Sequence, residues 1–298
     1  MIKPDDLGGF RMAAALTAAR VNFHRKLVEE ETLSLSPGGV ASNADGSQNT
    51  SRSIAFGIAQ DLGAGTVQEK LAGQRVGKQF EGAVESFLVE TFPVFQSIRP
   101  GDWIVENVGG SRSEYRISKY EPFSHLASLA SAIERDRTLA SVLGNSYEIS
   151  PDILVLRKPE PDAVINRELE LVDAQSGQRA DIRSANQGRP IVHAIVSCKW
   201  TLRSDRAQNA RSEALNVIRN RKGRTPHIVV VTGEPSPARL ASLALGTGDI
   251  DMVYHFALPE LIRAVGKASN DEASAMLQTL VDGNRLRDIS DLPLDLAV

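Results

Sequence analysis

PIVHAIVSCKWTLRSDRAQNARSEALNVIRN occupies residues 190–220, and its two halves differ in period. Residues 190–200 are β-branched and apolar almost without interruption, the pattern of a strand buried on both faces. From 206 to 221 the period becomes helical, with Ala210, Ala214, Val217 and Ile218 on one face. HIVVVTG at 227–233 then supplies another buried strand, ended by a glycine. A strand that closes on a lysine, a helix and a second strand make the unit from which a parallel sheet is built.

The alternation continues on either side. Downstream come a short helix Ala238–Leu245 after Pro235 and Pro237, a strand DMVYHF (251–256), and helices LPELIRAVGK and DEASAMLQTLVDG. Upstream, DILVLRKP (152–159) reads as a short buried strand and DWIVENV (102–108) as another. The polar, glycine-containing residues 160–189 between them and the lysine strand read as an excursion or hairpin. The N-terminal part reads as helical: Leu7–Thr32, then Val67–Leu88 stopped near Pro93, then His125–Leu143. Gly73 and Gly77 weaken the first half of the second helix. SPGGVASNADGSQNTSRS (36–53) reads as a long irregular loop, which in a packed protein calls for a function. The expected fold is α/β, a mixed or mostly parallel β-sheet covered by helices on both faces. Residues 1–298 form one domain in this reading, with 1–145 mostly helical and 146–298 carrying the sheet and its flanking helices.

Bulk composition narrows the function classes. The 298 residues are 42% hydrophobic and 24% charged, ordinary for a globular chain. With no apolar run of membrane-spanning length and no signal-like start, a cytoplasmic protein without membrane association is expected. One cysteine, Cys198, excludes an intrachain disulfide, and five scattered histidines argue against a zinc site. No glycine-rich phosphate loop follows any strand, which argues against a nucleotide-dependent enzyme. The net charge of -3 hides a local surplus: eight basic residues against Asp205 and Glu213 between Lys199 and Arg224. Such a run is either a solvated helix face or a nucleic-acid contact.

The chemistry-bearing residues fall in a definite order. Pro151-Asp152 opens the strand DILVL, Ser197-Cys198-Lys199 closes the strand at 190–200, and the next helix carries Glu213. Glu81 or Glu85 adds an acid from the early helix. Carboxylates at strand ends are oxygen ligands for Mg²⁺ on a scissile phosphate, and a neighbouring lysine can stabilise the charge that develops there. Strand alternation puts Ser197 and Lys199 on one side and Cys198 on the other. Each piece alone has a plainer explanation: a strand-entry turn for Pro151-Asp152, solvation for Lys199, an ion pair for Glu213, a small core residue for Cys198. Their order is what favours a phosphodiester-cleaving site.

The block SCKWTLRSDRAQNARSEALNVIRNRKGRTPHIVVVTGEP resembles the restriction endonucleases of the NgoMIV type, within the PD-(D/E)xK nucleases. The similarity is strongest from Pro151-Asp152 to about Arg239 and extends over most of the chain. It implies a restriction-endonuclease-like fold, with a mixed β-sheet core flanked by helices on both faces, and a type II restriction endonuclease that cuts double-stranded DNA at a palindrome with a CCGG core, GCCGGC, leaving 5′-phosphate ends. In this family Ser stands two before the lysine, here Ser197, and the helix glutamate, here Glu213, supplies the missing acid. The resemblance makes Asp152, Lys199, Glu213, Glu81 and Ser197 catalytic, and Asp152 with the Cys198 main-chain carbonyl ligands of Mg²⁺. It assigns Arg203, Asp205 and Arg206 to bases of the core, and Asp45, Gln74 and Arg239 to the outer pair; the loop 36–53 then contacts DNA. Bidentate Arg reads guanine and Asp accepts from cytosine, so these residue types suit G·C pairs. A palindrome implies a dimer at least, and the family a homotetramer. The runner-up is a structure-selective or repair nuclease on the same fold, followed by a DNA-binding protein without catalysis.

Overall fold

The lysine strand lies inside the sheet. In the computed structural model, which describes residues 13–68, 73–108, 117–143, 149–202, 204–246 and 248–298, six strands pair in chain order. They are β1 (Trp103–Asn107), β2 (Ile153–Arg157), β3 (Ile191–Lys199), β4 (His227–Thr232), β5 (Met252–His255) and β6 (Leu286–Asp288). β1, β2 and β3 are antiparallel neighbours, whereas β3 to β6 run parallel. The sheet is therefore mixed, and β3 stands where antiparallel pairing changes to parallel. All seven inner residues of β3 are buried, which explains its unbroken apolar run.

The helices are α1 (Ala15–Glu29), α2 (Asn49–Asp61), α3 (Gly73–Thr91), α4 (Leu126–Arg135), α5 (Arg137–Leu143), α6 (Asp162–Ile165), α7 (Ser204–Asn220), α8 (Pro237–Ala244), α9 (Leu258–Lys267), α10 (Asp271–Asp282) and α11 (Leu292–Asp295). Alternate residues of β2 serve two apolar layers. Ile153 and Val155 join a cluster with Phe23 of α1, Ile54 of α2, Phe80 and Phe87 of α3, and Leu261 of α9. Leu154 and Leu156 join a second cluster with Leu126 of α4 and Ala214 and Val217 of α7. Helices thus cover both faces, as the alternating pattern requires.

Two contacts fix α3 and α1 against the sheet. Phe80 meets Trp200 with ring centroids 5.0 Å apart, which brings the neighbouring Glu81 toward the end of β3. Arg20 of α1 pairs with Glu260 of α9 at 2.6 Å and with Asp288 of β6 at 2.8 Å.

Several sequence expectations need correction. The irregular stretch read at 36–53 ends at Gln48, because α2 begins at Asn49. Its buried face is Ser51, Ile54, Ala55, Ile58 and Ala59, a helical period carried mostly by small residues and hidden by the Ser/Asn-rich composition of its first turn. Gly57 lets α2 approach α9 closely: a Cβ there would sit 3.0 Å from that of Ala264. The helix read from Leu7 to Thr32 spans Ala15–Glu29, its first residues lying outside those described. The helix read from Val67 starts at Gly73; Val67 and Gln68 are not helical, and residues 69–72 lie outside those described. His125–Leu143 is two helices, since Asp136 is extended and its carboxylate accepts from the Thr138 amide that opens the second. β6 was not anticipated: three residues are too few to show a period.

Candidate active site

Three elements deliver one cluster of charge. Asp152 precedes β2, Ser197 and Lys199 end β3, and Glu213 sits half-buried on α7 beside the buried Ala214. Cys198 donates its main-chain N–H to Asp152 Oδ2 at 2.7 Å, a charge-assisted bond that fixes the carboxylate across two strand ends. Lys199 Nζ stands 3.3 Å from the same oxygen and 3.8 Å from Glu213 Oε2. The Ser197 hydroxyl lies 3.4 Å from Asp152 and 3.5 Å from Glu213. Ser197 and Lys199 share a side, while Cys198 points into the apolar cluster.

Crowding sets the protonation of the group. Burial, then the Asp152 carboxylate, pushes Glu81 up to about 7 against the pull of Lys199 and Lys78. Burial also raises Glu213, with Lys199 opposing. For Lys199, burial draws the ammonium down, but Asp152 and Glu213 outweigh it and the net shift is upward, so the lysine is charged. Burial raises the Cys198 thiol well above its ordinary value, which makes it a neutral core group and no nucleophile. Of the two early-helix acids, Glu81 lines the same cleft as Lys199. Glu85 turns away to accept the Asn107 N–H at 3.2 Å.

That cleft has a volume of about 710 Å³ and is bordered by Lys199, Glu213, Glu81, Asp45, Gln74 and Arg239 among others. Residues far apart in sequence thus meet on one wall. Asp45 pairs with Arg239. The Ser47 hydroxyl and amide, and then Arg239, hold the Asp45 carboxyl down at about 2. Arg203 lies outside the described residues, as do the side chains of Asp205 and Arg206, whose backbone belongs to the first turn of α7.

Sequence reasoning passed over three residues of this region. Asn43, buried, donates from Nδ2 to the Gly233 carbonyl at 2.7 Å. Trp200 packs so closely on Gly233 that a Cβ there would lie 2.5 Å from the ring. Glu234 is fully buried beside Arg239. The one available signal was the unusual Thr-Gly-Glu ending of an otherwise apolar strand.

Among the described residues no three His, Cys, Asp or Glu side chains form a metal cage. Mg²⁺ does not require one, since it is held by one or two carboxylates together with waters and substrate phosphate. Asp152, with Glu213 and Glu81 nearby and both raised in pKa, is an oxygen donor set of that kind. Among the described residues no helix is long and apolar enough to cross a membrane.

Comparison with known proteins bears on the whole chain. A family model described as NgoMIV restriction enzyme matches residues 23–298. The type II restriction enzyme NgoMIV of Neisseria gonorrhoeae is 51% identical over 287 residues, covering 96% of this chain and 100% of its own. A solved complex of restriction endonuclease PspGI with substrate DNA aligns over 95% of this chain and 92% of its own, at 14% identity and a TM-score of 0.24. That score is too low to support an argument.

Proposed function

The chain belongs to the NgoMIV restriction enzyme family and is a type II restriction endonuclease, and from that premise we propose that it cleaves both strands of GCCGGC, a palindrome with a CCGG core, with Mg²⁺ as cofactor and 5′-phosphate ends. The observation that carries this reading is the juxtaposition of Lys199 and Glu213, with Asp152 paired to Lys199 behind them, and the Asp45–Arg239 pair on one cleft. Cutting and reading groups then belong to one surface.

Asp152 and the Cys198 carbonyl would hold the metal, with Glu213 and Glu81 as further acids. When bound, the ion polarises the phosphoryl oxygen and lowers the pKa of a bound water. Lys199 offers a positive charge to the phosphate oxygens as negative charge builds in the transition state. Ser197 leaves room where the general pattern has an acid, and Glu213 brings the carboxylate in from α7. Arg203, Asp205 and Arg206 read the core, while Arg239, Asp45 and Gln74 read the outer pair. A palindromic site calls for a two-fold dimer at least, and a tetramer would hold two sites. The DNA it meets places its work in the cytoplasm.

The test is digestion of a sequenced plasmid in Mg²⁺. Discrete fragments mapping to GCCGGC, with ends that ligate without prior phosphorylation, are expected. A smear would favour the structure-selective or repair nuclease.

A further inference from the structure

Glu234 has no part in the chemistry above, yet it is the most completely buried carboxylate among the described residues, at 0% exposure. A charge is not carried into a protein interior without partners. Its partners lie in three different parts of the site. Oε2 accepts the Leu202 N–H at 2.7 Å, immediately before the segment 203–206. Oε1 accepts the Ser236 N–H at 3.1 Å, where α8 begins. Arg239 Nη1, on that helix, stands 3.8 Å from Oε2.

The two residues before Glu234 extend the connection. The Lys199 carbonyl accepts from Thr232 Oγ1 at 2.7 Å and from the Gly233 N–H at 3.2 Å. The Gly233 carbonyl accepts from Asn43, two residues before Asp45. Residues 232–234 therefore tie the strand end that bears Lys199 to the loop that bears Asp45 and the helix that bears Arg239. Gly233 is required at this crossing, because a Cβ would lie 2.9 Å from the Trp200 carbonyl oxygen.

We infer that Glu234 is a positioning residue for sequence discrimination: it holds the Arg239 guanidinium between itself and Asp45 and fixes α8 to the Leu202 amide, so that the outer pair is read in register with the core. This rests on the reading of Arg239 as an outer-pair contact. Two acceptor oxygens serve two backbone donors here. Glutamine would turn an NH₂ toward one of those donors or toward Arg239, and would leave a buried N–H unsatisfied.

The test is binding, without divalent metal, of the full-length protein to duplexes carrying GCCGGC, ACCGGT (outer pair changed) and GCATGC (core changed). Parent, Glu234→Gln, Glu234→Asp, Arg239→Ala and the double variant Glu234→Gln with Arg239→Ala are compared, with melting temperatures measured alongside. Loss of a base contact corresponds to a roughly tenfold to hundredfold drop in preference. Glu234→Gln is expected to lose the preference for GCCGGC over ACCGGT about as fully as Arg239→Ala, and to keep the preference over GCATGC. Glu234→Asp, which keeps the carboxyl group but cannot span both amides, should fall between parent and Glu234→Gln, and it carries the test if the glutamine variant does not fold. In the double variant the Glu234 change should add no loss of outer-pair preference beyond that of Arg239→Ala. An equal loss of preference over both altered duplexes would mean a merely structural residue and would overturn the inference. Retained outer-pair preference in Glu234→Gln while Arg239→Ala loses it would overturn the inference but leave the reading of Arg239 standing. If Arg239→Ala also keeps the preference, both fall.

Discussion

At the scale of the residue, Asp152 is where the site is most exposed to a single change. Its carboxylate carries the Cys198 amide bond and the Lys199 pair together. Asp152→Ala should abolish plasmid cleavage in Mg²⁺ while a binding titration still separates GCCGGC from scrambled duplex; parental cleavage by this variant would remove Asp152 from the chemistry. Glu213→Ala tests the acid supplied from the helix, and cutting at the parental rate would show that α7 contributes none. Glu81 allows a prediction with a sign. Its folded pKa of about 7 lies above its ordinary 4.5, so the stability it contributes is present below 4.5 and lost as pH rises to about 7. Glu81→Gln does not titrate. In metal-free buffer the melting temperature of the variant relative to the parent should therefore rise from pH 4.5 to 7 and level off above it. A difference that stays constant over that window would mean the carboxyl is not crowded. The cluster of Asp152, Ser197, Lys199 and Glu213 was legible in sequence as an order of residues, because chain order and strand alternation are visible there. Glu234 was not, because its meaning lies in partners at Leu202, Ser236 and Arg239 that no spacing rule brings together.

Among the elements, α2 shows how packing can rest on a missing side chain. Its contact with α9 depends on Gly57, where even one added carbon would press on Ala264. Gly57→Leu should force the helices apart and cost about 1–3 kcal/mol by overpacking. Urea unfolding would show this as a lower midpoint at unchanged slope. A variant as stable as the parent would mean the two helices are free to separate. α2 was overlooked in the sequence because Ser51, Ala55 and Ala59 do not register as an apolar face until α9 is laid against them. α3 was legible, since Phe80, Val84, Phe87 and Leu88 are large enough to show their period unaided.

For the whole molecule, buried titratable groups act in opposite directions. Burial, the leading cause, lowers His193 to about 3 and His255 to about 4. Their stabilising contribution is present above their ordinary 6.5 and is lost as pH falls toward those values. Burial raises Glu81 and Glu234 to about 7, and their contribution is lost as pH rises from 4.5. Between 4.5 and 6.5 the two sets offset each other. Below 4.5 the histidines and the lowered carboxyls, such as Asp61 beside Arg263 and Asp162 beside Arg183, take up protons on unfolding, with no raised carboxyl left to oppose them. The metal-free protein should thus lose stability less steeply from pH 6.5 to 5 than below 4.5. A steady decline from pH 6.5 downward would mean that the raised carboxylates are absent.

The sequence by itself determined a sheet covered by helices, the strand that ends in Lys199, the amphipathic helix behind it and the order Asp152, Ser197, Lys199, Glu213, because periodicity and chain order are one-dimensional properties. Only the tertiary structure decided that Glu81 and not Glu85 faces Lys199, that Asp45 meets Arg239, and that Glu234 lies beneath both. Those facts depend on how α3, the loop ending at Gln48 and α8 pack against the end of β3. Packing joins residues by volume and burial, whatever their separation along the chain.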